Sequence, residues 1–253
     1  MSFLIGLLAG IFGGLVGLGG GVVMVPLMVG FLKLRQSGAH GTSLVALVFT
    51  GLAGTATYML HYSVDMAAAG LLAIPAIFTA QAGARYCNSL SESRLRQSFG
   101  VFLILISLLM LTKSFMSAPL WVMTGWPKAA VLLSTGLFTG FISGMMGIGG
   151  GAILIASMVL VVGMSQHTAQ GSSLLAMVPA GIMGAYTHWR LGNVDKGLLA
   201  GLIPGILLGT FLGGSLAQVF DDNSLRLIFA VVLIWTGVRH LKPAPPTCEP
   251  AEL

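Results

Sequence analysis

Charged residues are absent from long stretches of this chain. The runs 1–32, 36–64, 66–84, 129–189 and 197–220 contain no Asp, Glu, Lys or Arg. Because a helix needs about 20 apolar residues to cross a bilayer, these runs supply several membrane-spanning helices. A transmembrane β-barrel would instead alternate apolar and polar residues over segments of about 10 residues, and the sequence lacks that alternation. The pattern predicts an all-α integral membrane protein.

Two glycine runs interrupt the longest apolar segments. Gly17-Leu-Gly-Gly-Gly21 (the first glycine break) divides the segment 3–31, and Gly147-Ile-Gly-Gly-Gly151 (the second glycine break) divides the segment 131–162. Glycine has no Cβ and lets the backbone leave the helical conformation, so each segment is predicted to form two half-helices. Three further helices are predicted after each broken segment, at 42–61, 66–86 and 96–116 and at 172–190, 197–219 and 225–240.

The two halves of the chain repeat each other at an offset of 130 residues. This offset maps the first glycine break onto the second, Gly41-Thr-Ser-Leu44 onto Gly171-Ser-Ser-Leu174, and Val64-Asp65 onto Val194-Asp195. Chance recurrence in a glycine-rich chain would not keep polar residues in register, so the halves are interpreted as a duplication. The predicted organisation is a first membrane repeat at 1–116, a connector at 117–128, a second membrane repeat at 129–241 and a disordered tail at 242–253.

The distribution of Lys and Arg indicates how the repeats are oriented, because these residues favour the cytoplasmic side of a membrane. If every segment crossed once, the 12 basic residues would divide evenly between the two sides. If each broken segment entered and returned on one side, most of them would collect on a single side. This second arrangement predicts two inverted repeats, each with a re-entrant or helix-hairpin segment plus three transmembrane helices, and both termini in the cytoplasm. A single tilted crossing of each broken segment is the alternative.

Composition excludes several classes of protein. Hydrophobic residues make up 56% of the chain and charged residues 8%, against about 25% charged in soluble domains, which excludes a soluble enzyme. The basic residues behind the formal charge of +5 are dispersed over short loops, which argues against a nucleic-acid partner. Cys87 and Cys248 form no metal-ligand spacing, and the sequence has no nucleophile elbow or zinc-protease motif. We therefore predict no catalytic residues, no metal and no cofactor.

The polar residues of the predicted spans suit an anionic ligand. All seven acids fall in predicted loops or in the tail, so the spans offer no carboxylate for a cation. Hydroxyls, amides and helix N-termini suit an oxyanion, and unwound glycines let a ligand approach the backbone. The candidate binding residues are Gly19, Gly20, Gly21, Thr42, Ser43, Gly149, Gly150, Gly151, Ser172 and Ser173, with Gln36, His40, Gln81, Gln166 and Gln170 as secondary candidates.

Structural roles compete with these binding roles. Thr42-Ser43 and Ser172-Ser173 are predicted to open helices, where they would act as N-caps, as ligands or as both. Tyr58, His61, Tyr186 and His188 lie near predicted span ends, where such side chains commonly anchor a helix at the membrane interface. Small residues also allow close helix packing in membranes. That use is preferred for Gly6, Gly10, Gly14, Gly136, Gly140 and Gly144.

These motifs together resemble the sulfite exporter TauE/SafE family. The paired glycine breaks, the repeats at Gly41 and Gly171, and His188-Trp-Arg-Leu-Gly-Asn-Val-Asp195 carry the resemblance, which covers residues 3–241. It implies a permease built from duplicated halves that transports sulfite or small organosulfur anions, usually as export. The second half departs from the first, with Ser172 in place of Thr42 and Ala156 in place of Pro26, so the two half-sites are expected to contribute unequally.

The leading hypothesis is a multi-pass secondary transporter, and by direction an exporter, in the cytoplasmic (inner) membrane. Its substrate would be a small sulfur-containing anion such as sulfite or an organosulfonate, held between the two glycine breaks by backbone N–H groups and Ser/Thr hydroxyls. Rocking of one repeat against the other would alternate access. Proton coupling would have to use a histidine such as His40 or the anion itself. The main alternative is a passive anion channel, followed by a membrane-embedded enzyme or a scaffold subunit. The predicted partners are the anion and the lipid bilayer, and a homo-oligomer is compatible with the sequence.

Overall fold

The computed structural model describes residues 1–86, 100–101, 104–105, 107–108, 111, 123–146 and 149–241, and these form helices joined by short loops. Gly147, Ile148, the tail, most of the predicted span 96–116 and the first half of the connector (117–122) lie outside the described residues. The helices are α1 (Ser2–Val16), α2 (Gly21–Leu32), α3 (Gln36–Leu60), α4 (Met66–Tyr86), α5 (Trp126–Met146), α6 (Gly151–Ala156, continued by a π-helical segment Ser157–Val162), α7 (Gln166–Arg190), α8 (Lys196–Ala217) and α9 (Asp222–Leu241).

Four of the described helices, α3, α4, α5 and α8, are long and apolar enough to cross a membrane. Large apolar side chains are exposed along them, including Phe78 and Phe211. A water-soluble protein rarely exposes so much contiguous apolar surface, whereas a lipid-facing surface requires it. The prediction of an all-helical membrane protein is confirmed for the described part of the chain.

The helix bounds repeat at the same offset of 130 residues as the sequence motifs. Helix α3 (Gln36–Leu60) and helix α7 (Gln166–Arg190) correspond at both ends, and α2 corresponds to the segment Gly151–Val162. A difference appears at one matched position inside these segments. Pro26 lies within α2, whereas its equivalent Ala156 is the last α-helical residue before the π-helical segment. Pro26 lacks an N–H for the helix ladder, so the two half-helices are irregular in different ways.

Helices α3 and α7 begin six residues before their predicted starts at 42 and 172. The polar residues of their first turns resemble a loop in the sequence, but they are helical and their neighbours bury several of them. Ser165 caps α7 by accepting a hydrogen bond from the Thr168 N–H at 3.2 Å. The interpretation of Thr42, Ser43, Ser172 and Ser173 as N-caps is therefore wrong, because these residues lie in the second helical turn.

The first helix of each half packs against the fourth helix of the other half. Along α1 and α8, Cβ atoms on Gly6, Gly10 and Gly14 would clash with backbone atoms of successive turns of α8. Along α4 and α5 the equivalent glycines Gly136, Gly140 and Gly144 face successive turns of α4 in the same way. These backbones approach so closely because the glycines have no side chain, as expected from the small-residue packing proposed for them.

Helices α3 and α7 cross between the halves in antiparallel directions. Tyr58, near the C-terminal end of α3, contacts Gln170 near the N-terminal end of α7. At the other end, a Cβ on Gly41 would lie 3.1 Å from the His188 Cβ. By contrast, α1 and α8 run in parallel, because Gly6 faces Leu202 and Gly14 faces Thr210. The interface between the halves therefore includes an antiparallel α3–α7 pair and a parallel α1–α8 pair.

Candidate functional site

The two glycine breaks share one backbone conformation at the two residues that precede their short helices. Gly20 and Gly150 are the residues that precede α2 and α6, and their φ angles are 75° and 65°. Gly19 and Gly149 also have positive φ, at 79° and 87°. Residues with a Cβ rarely adopt this left-handed region, so the breaks require glycine at these positions.

The first glycine break turns the chain back against α1. A Cβ on Gly20 would lie 2.6 Å from the carbonyl oxygen of Ala9, and one on Gly13 would lie 2.7 Å from the Gly20 nitrogen. Ala9 lies almost two turns before the end of α1. The chain therefore reverses at the break, so that α2 starts beside the middle of α1.

The two glycine breaks contact each other. A Cβ on Gly151 would lie 2.9 Å from the Gly17 carbonyl oxygen and 2.9 Å from the Leu18 Cα. Leu47 of α3 and its equivalent Met177 of α7 pack against both breaks, since each approaches Gly19 and Gly149. The predicted site glycines of both halves are thus gathered into one region at the interface of the halves.

Ser173 supports the first break. Its hydroxyl lies 3.0 Å from the Gly17 carbonyl oxygen and 2.8 Å from the Gln170 carbonyl oxygen, and it is fully buried. Its equivalent Ser43 is also buried and donates to the His40 carbonyl oxygen at 2.8 Å. Both hydroxyls are bonded to backbone, and Ser173 belongs to the half opposite the break that it contacts.

Thr42 and Ser172 hold the loop of the opposite half. The Asp195 N–H donates to Thr42 Oγ1 at 3.0 Å, and the Asp65 N–H donates to Ser172 Oγ at 2.8 Å. These two hydrogen bonds occupy equivalent positions in the two halves. Because each hydroxyl accepts, its own proton is still available to a second partner.

Glycine lets each loop approach closely enough for these bonds. A Cβ on Gly41 would clash with the carbonyl oxygen of Asn193, and one on Gly171 would clash with that of Ser63. We call the two contacts the Thr42 clasp (Gly41 and Thr42 with 193–195) and the Ser172 clasp (Gly171 and Ser172 with 63–65). Each clasp joins one half of the chain to the other.

One clasp carries an additional ion pair. Lys128 Nζ lies 2.9 Å from Asp65 Oδ2, while Asp65 Oδ1 accepts a hydrogen bond from the Ala68 N–H at 2.9 Å. Partial burial tends to raise the pKa of Asp65, but the Ala68 hydrogen bond and the Lys128 ammonium outweigh it and hold the pKa below its ordinary value. Asp195 accepts from the Gly197 N–H at 3.0 Å. Within the described residues Asp195 forms no ion pair.

The secondary candidates occupy different surroundings. Gln166 and Gln170 lie one turn apart on α7 and are fully buried, and His40 is buried on α3. Gln81 lies on α4 and is half-buried, and the described contacts do not join it to the breaks. The side chain of Gln36 lies outside the described residues. Gln170 therefore comes closest to a break, because its Cβ and Cγ would meet a Cβ on Gly17 at 2.8 Å.

Tyr58 is a buried residue of this region, although its position near a predicted span end indicates an anchor at the membrane interface. Its hydroxyl lies 3.0 Å from the Gly14 carbonyl oxygen and 2.8 Å from Gln170 Oε1. His188, its equivalent, is 1% exposed and its Nε2 lies 3.3 Å from the Gly144 carbonyl oxygen. The anchor interpretation is therefore wrong for both, although His61 and Tyr186 are exposed. The sequence signal that could have indicated a shared role for the two residues is the offset of 130 residues, which pairs Tyr58 with His188.

Other groups near the breaks do not resemble a metal or anion site. Among the described residues, no three His, Cys, Asp or Glu side chains are placed to share a metal ion. A recess beside the first break is lined by apolar side chains, including Phe12, Val16 and Val232. An anion would find no hydrogen-bond donor on those side chains, so the recess does not extend the candidate site.

Comparison with known proteins gives a family match over nearly the whole chain. The family model described as "Sulfite exporter TauE/SafE" matches residues 2–240. The chain is 28% identical to "Probable membrane transporter protein YunE" of Bacillus subtilis strain 168, over 94% of this chain and 96% of the relative. It is 27% identical to "Probable membrane transporter protein YjnA" of the same organism, over 93% and 97%. No solved structure matches the chain.

Proposed function

The chain belongs to the sulfite exporter TauE/SafE family, and from that premise we propose that it is a secondary transporter of a small sulfur-containing anion such as sulfite or an organosulfonate. The family match covers nearly the whole chain, and relatives of similar length are named as membrane transporters. Export from the cytoplasm through the inner membrane is the proposed direction. The family name supports the substrate class.

The contact between the two glycine breaks is the observation that carries this proposal. Helix α2 begins at the first break. Its third and fourth N–H groups, of Val23 and Met24, donate to the Gly20 carbonyl oxygen, whereas those of Gly21 and Val22 have no acceptor among the described hydrogen bonds and can donate to an anion. In the described spans there is no carboxylate near the breaks that would repel an anion. Hydrogen-bond donors without neighbouring negative charge suit an oxyanion better than a cation.

We further propose that the halves are inverted repeats with re-entrant broken segments and cytoplasmic termini. The antiparallel crossing of the equivalent helices α3 and α7 supports the inversion. The reversal of the chain at Gly20, beside Ala9, supports a re-entrant segment. In this arrangement the anion would reach the breaks from either side in turn, as one half rocks against the other.

The two clasps fit such a movement. Each clasp lies at one end of the α3–α7 crossing, because the Thr42 clasp involves the start of α3 and the Ser172 clasp its end. Opening one clasp while the other stays closed would expose the breaks to one side of the membrane. A hydrogen bond and a backbone contact can break and re-form, which alternating access requires.

The decisive experiment is counterflow of radiolabelled sulfite in proteoliposomes. Saturable exchange, inhibited by thiosulfate or an organosulfonate, is expected from a carrier, whereas a passive channel would leak without exchange. Gly20→Ala should reduce exchange by at least tenfold, because a Cβ there would meet the Ala9 carbonyl oxygen at a positive φ.

A matched control separates backbone strain from the effect at the break. Gly192 also has a positive φ, at 72°, but a Cβ there would meet no atom within 4 Å. Gly192→Ala should retain exchange. If wild-type protein that is folded shows no sulfite exchange, the proposed function is contradicted, and equal losses in both variants would contradict the assignment of the break.

A further inference from the structure

The first glycine break is surrounded by different side chains from the second. At the first break, Gln170 lies against Gly17 and its Oε1 is 2.8 Å from the Tyr58 hydroxyl. At the offset of 130 residues, the equivalents of Gln170 and Tyr58 are His40 and His188. The backbone conformation of Gly19 and Gly20 is repeated at Gly149 and Gly150, but the polar residues at the equivalent neighbouring positions are not.

The tyrosine and the histidine bind equivalent backbone groups. Tyr58 contacts the carbonyl oxygen of Gly14, and His188 contacts that of Gly144, which is the same position in the second half. Tyr58 then reaches further and also contacts the Gln170 amide. The single hydroxyl proton of Tyr58 is shared between these two acceptor oxygens. The tyrosine therefore links its own helix to α1 and α7, and it favours the orientation of the Gln170 amide in which Oε1 faces the hydroxyl.

The nitrogen of this amide is available to a ligand. Gln170 is fully buried, and its Nε2 has no hydrogen-bond partner within the described residues. Gln166, one turn earlier on the same helical face, is also fully buried, and neither its Nε2 nor its Oε1 has a partner there. Buried donors without partners are unfavourable, and a bound acceptor such as an oxyanion would satisfy them.

We infer that the first glycine break binds the anion, that Gln170 Nε2 donates to it beside the N–H groups at the start of α2, and that Tyr58 is the positioning residue that orients Gln170. This inference rests on the proposed transport function and deepens it. At the second break, His188 Nδ1 is also buried without a partner in the described residues. Nε2 contacts the Gly144 carbonyl oxygen and therefore carries the proton of the neutral ring, so Nδ1 is an acceptor and supplies no equivalent donor. The anion is therefore bound asymmetrically, although the fold is duplicated.

Tyr58→Phe tests the positioning role with the smallest change. The variant keeps the ring and removes the hydroxyl, so Gln170 loses the partner of its Oε1. We expect the Kd for radiolabelled sulfite, measured on purified protein in detergent, to rise about five- to tenfold. The KM of sulfite counterflow should rise equally, while the maximum rate stays near that of wild type. A merely structural defect would lower the maximum rate and the amount of folded protein instead.

Control variants assign the effect to this residue. Tyr186→Phe makes the same change at a tyrosine that is 54% exposed, and it should leave the Kd unchanged. Gln170→Glu keeps the shape of the side chain but presents a negative charge to the anion, so sulfite binding should be lost. Gln170→Glu leaves the Tyr58–Gly14 hydrogen bond in place, and it therefore tests the inference if Tyr58→Phe is unstable.

Three results would overturn the inference. A folded Tyr58→Phe protein with the wild-type Kd would contradict the positioning role. A larger increase in Kd from His188→Phe than from Tyr58→Phe would put the anion at the second break. If folded wild-type protein binds neither sulfite, thiosulfate nor a small sulfonate, the proposed function fails and the inference fails with it, whereas normal binding in Gln170→Glu would overturn the inference alone.

Discussion

The two glycine breaks have the same backbone conformation at Gly19–Gly20 and Gly149–Gly150, and they have different side chains beside them. Gly20 and Gly150 share a left-handed conformation, and each precedes a short helix that starts at the interface of the halves. Beside the first break lie Tyr58 and Gln170, whereas histidines occupy the equivalent positions at the second. The geometry that brings the breaks together therefore recurs in both halves, whereas the side chains next to each break differ.

The two clasps differ in a similar way. Both use a hydroxyl of the second helical turn to accept a backbone N–H from the opposite half. The Asp65 carboxylate of one clasp also pairs with Lys128, a residue at the start of α5. The shared hydrogen bond joins the halves at both ends, and the ion pair strengthens one end. Substitutions at equivalent positions of the two halves can separate the contribution of the hydrogen bond that both clasps have from that of the ion pair at one clasp.

The largest effect is expected at the glycines of the clasps. A methyl group at Gly171 would clash with the Ser63 carbonyl oxygen, and one at Gly41 with that of Asn193. Relief would require the loop to move away from the opposite half. Gly171→Ala and Gly41→Ala should each lower the free energy of unfolding by about 2–3 kcal/mol, measured by thermal unfolding in detergent.

Two controls test this expected destabilisation: comparison of the two clasp variants with each other, and substitution of Gly70. Gly70 lies in α4, and a Cβ there would meet no atom within 4 Å. Gly70→Ala should leave stability unchanged or slightly higher, because alanine favours the helix by about 1 kcal/mol over glycine. A strong loss in one clasp variant and none in the other would mean that the clasps are not equivalent.

Much of the fold could be predicted because it depends on local and periodic features. Hydropathy predicts the span 66–86 at the observed bounds of α4. The glycine runs predict a break in each long apolar segment, and the first such break lies between the end of α1 and the start of α2. The early starts of α3 and α7 could not be predicted, because Gln36 and Gln166 resemble loop residues unless their neighbours are known. Gln166 is fully buried in the folded protein, and the sequence alone does not show this burial.

The candidate site could be predicted less completely. The glycines, Ser173 and Gln170 are gathered near the breaks. Thr42 accepts a hydrogen bond instead from a loop of the other half. The two residues of this contact are more than 100 positions apart in the chain, so local sequence patterns do not predict it. Tyr58 was missed because aromatic residues near span ends are commonly interfacial. Its burial becomes evident from the packing of α1 against α3.

An intermediate effect is expected from the hydroxyl of the Thr42 clasp. Thr42→Val keeps the shape and removes the oxygen that accepts the Asp195 N–H. The loss of a partner for this donor should cost about 1–2 kcal/mol in the free energy of unfolding. Thr187→Val is the matched control, because the Thr187 hydroxyl donates within its own helix to the Met183 carbonyl oxygen at 2.9 Å.

The same variant distinguishes a clasp from a ligand. If Thr42 acts through the Asp195 N–H, then Thr42→Val should lower stability and leave the Kd for sulfite close to that of wild type. Unchanged stability together with a tenfold weaker sulfite affinity would instead assign Thr42 to the binding site, as the sequence analysis allowed.

The smallest effect is expected from the charge that distinguishes the Ser172 clasp. Because the pKa of Asp65 is lowered in the folded protein, the folded state binds fewer protons than the unfolded state as the carboxyl titrates. The stabilisation is therefore complete at neutral pH and is lost as the pH falls through the folded-state pKa.

Asp65→Asn retains an oxygen for the Ala68 N–H but removes the pairing with Lys128, so at pH 7 it should cost less than about 1 kcal/mol. Between about pH 7 and pH 3, the thermal unfolding temperature should fall less steeply in this variant than in wild type. Asp195→Asn, at the clasp without a described ion pair, is the matched control. It should change the stability at pH 7 and the salt dependence of that stability less than Asp65→Asn does. Equal responses of the two variants would contradict the assigned role of Lys128.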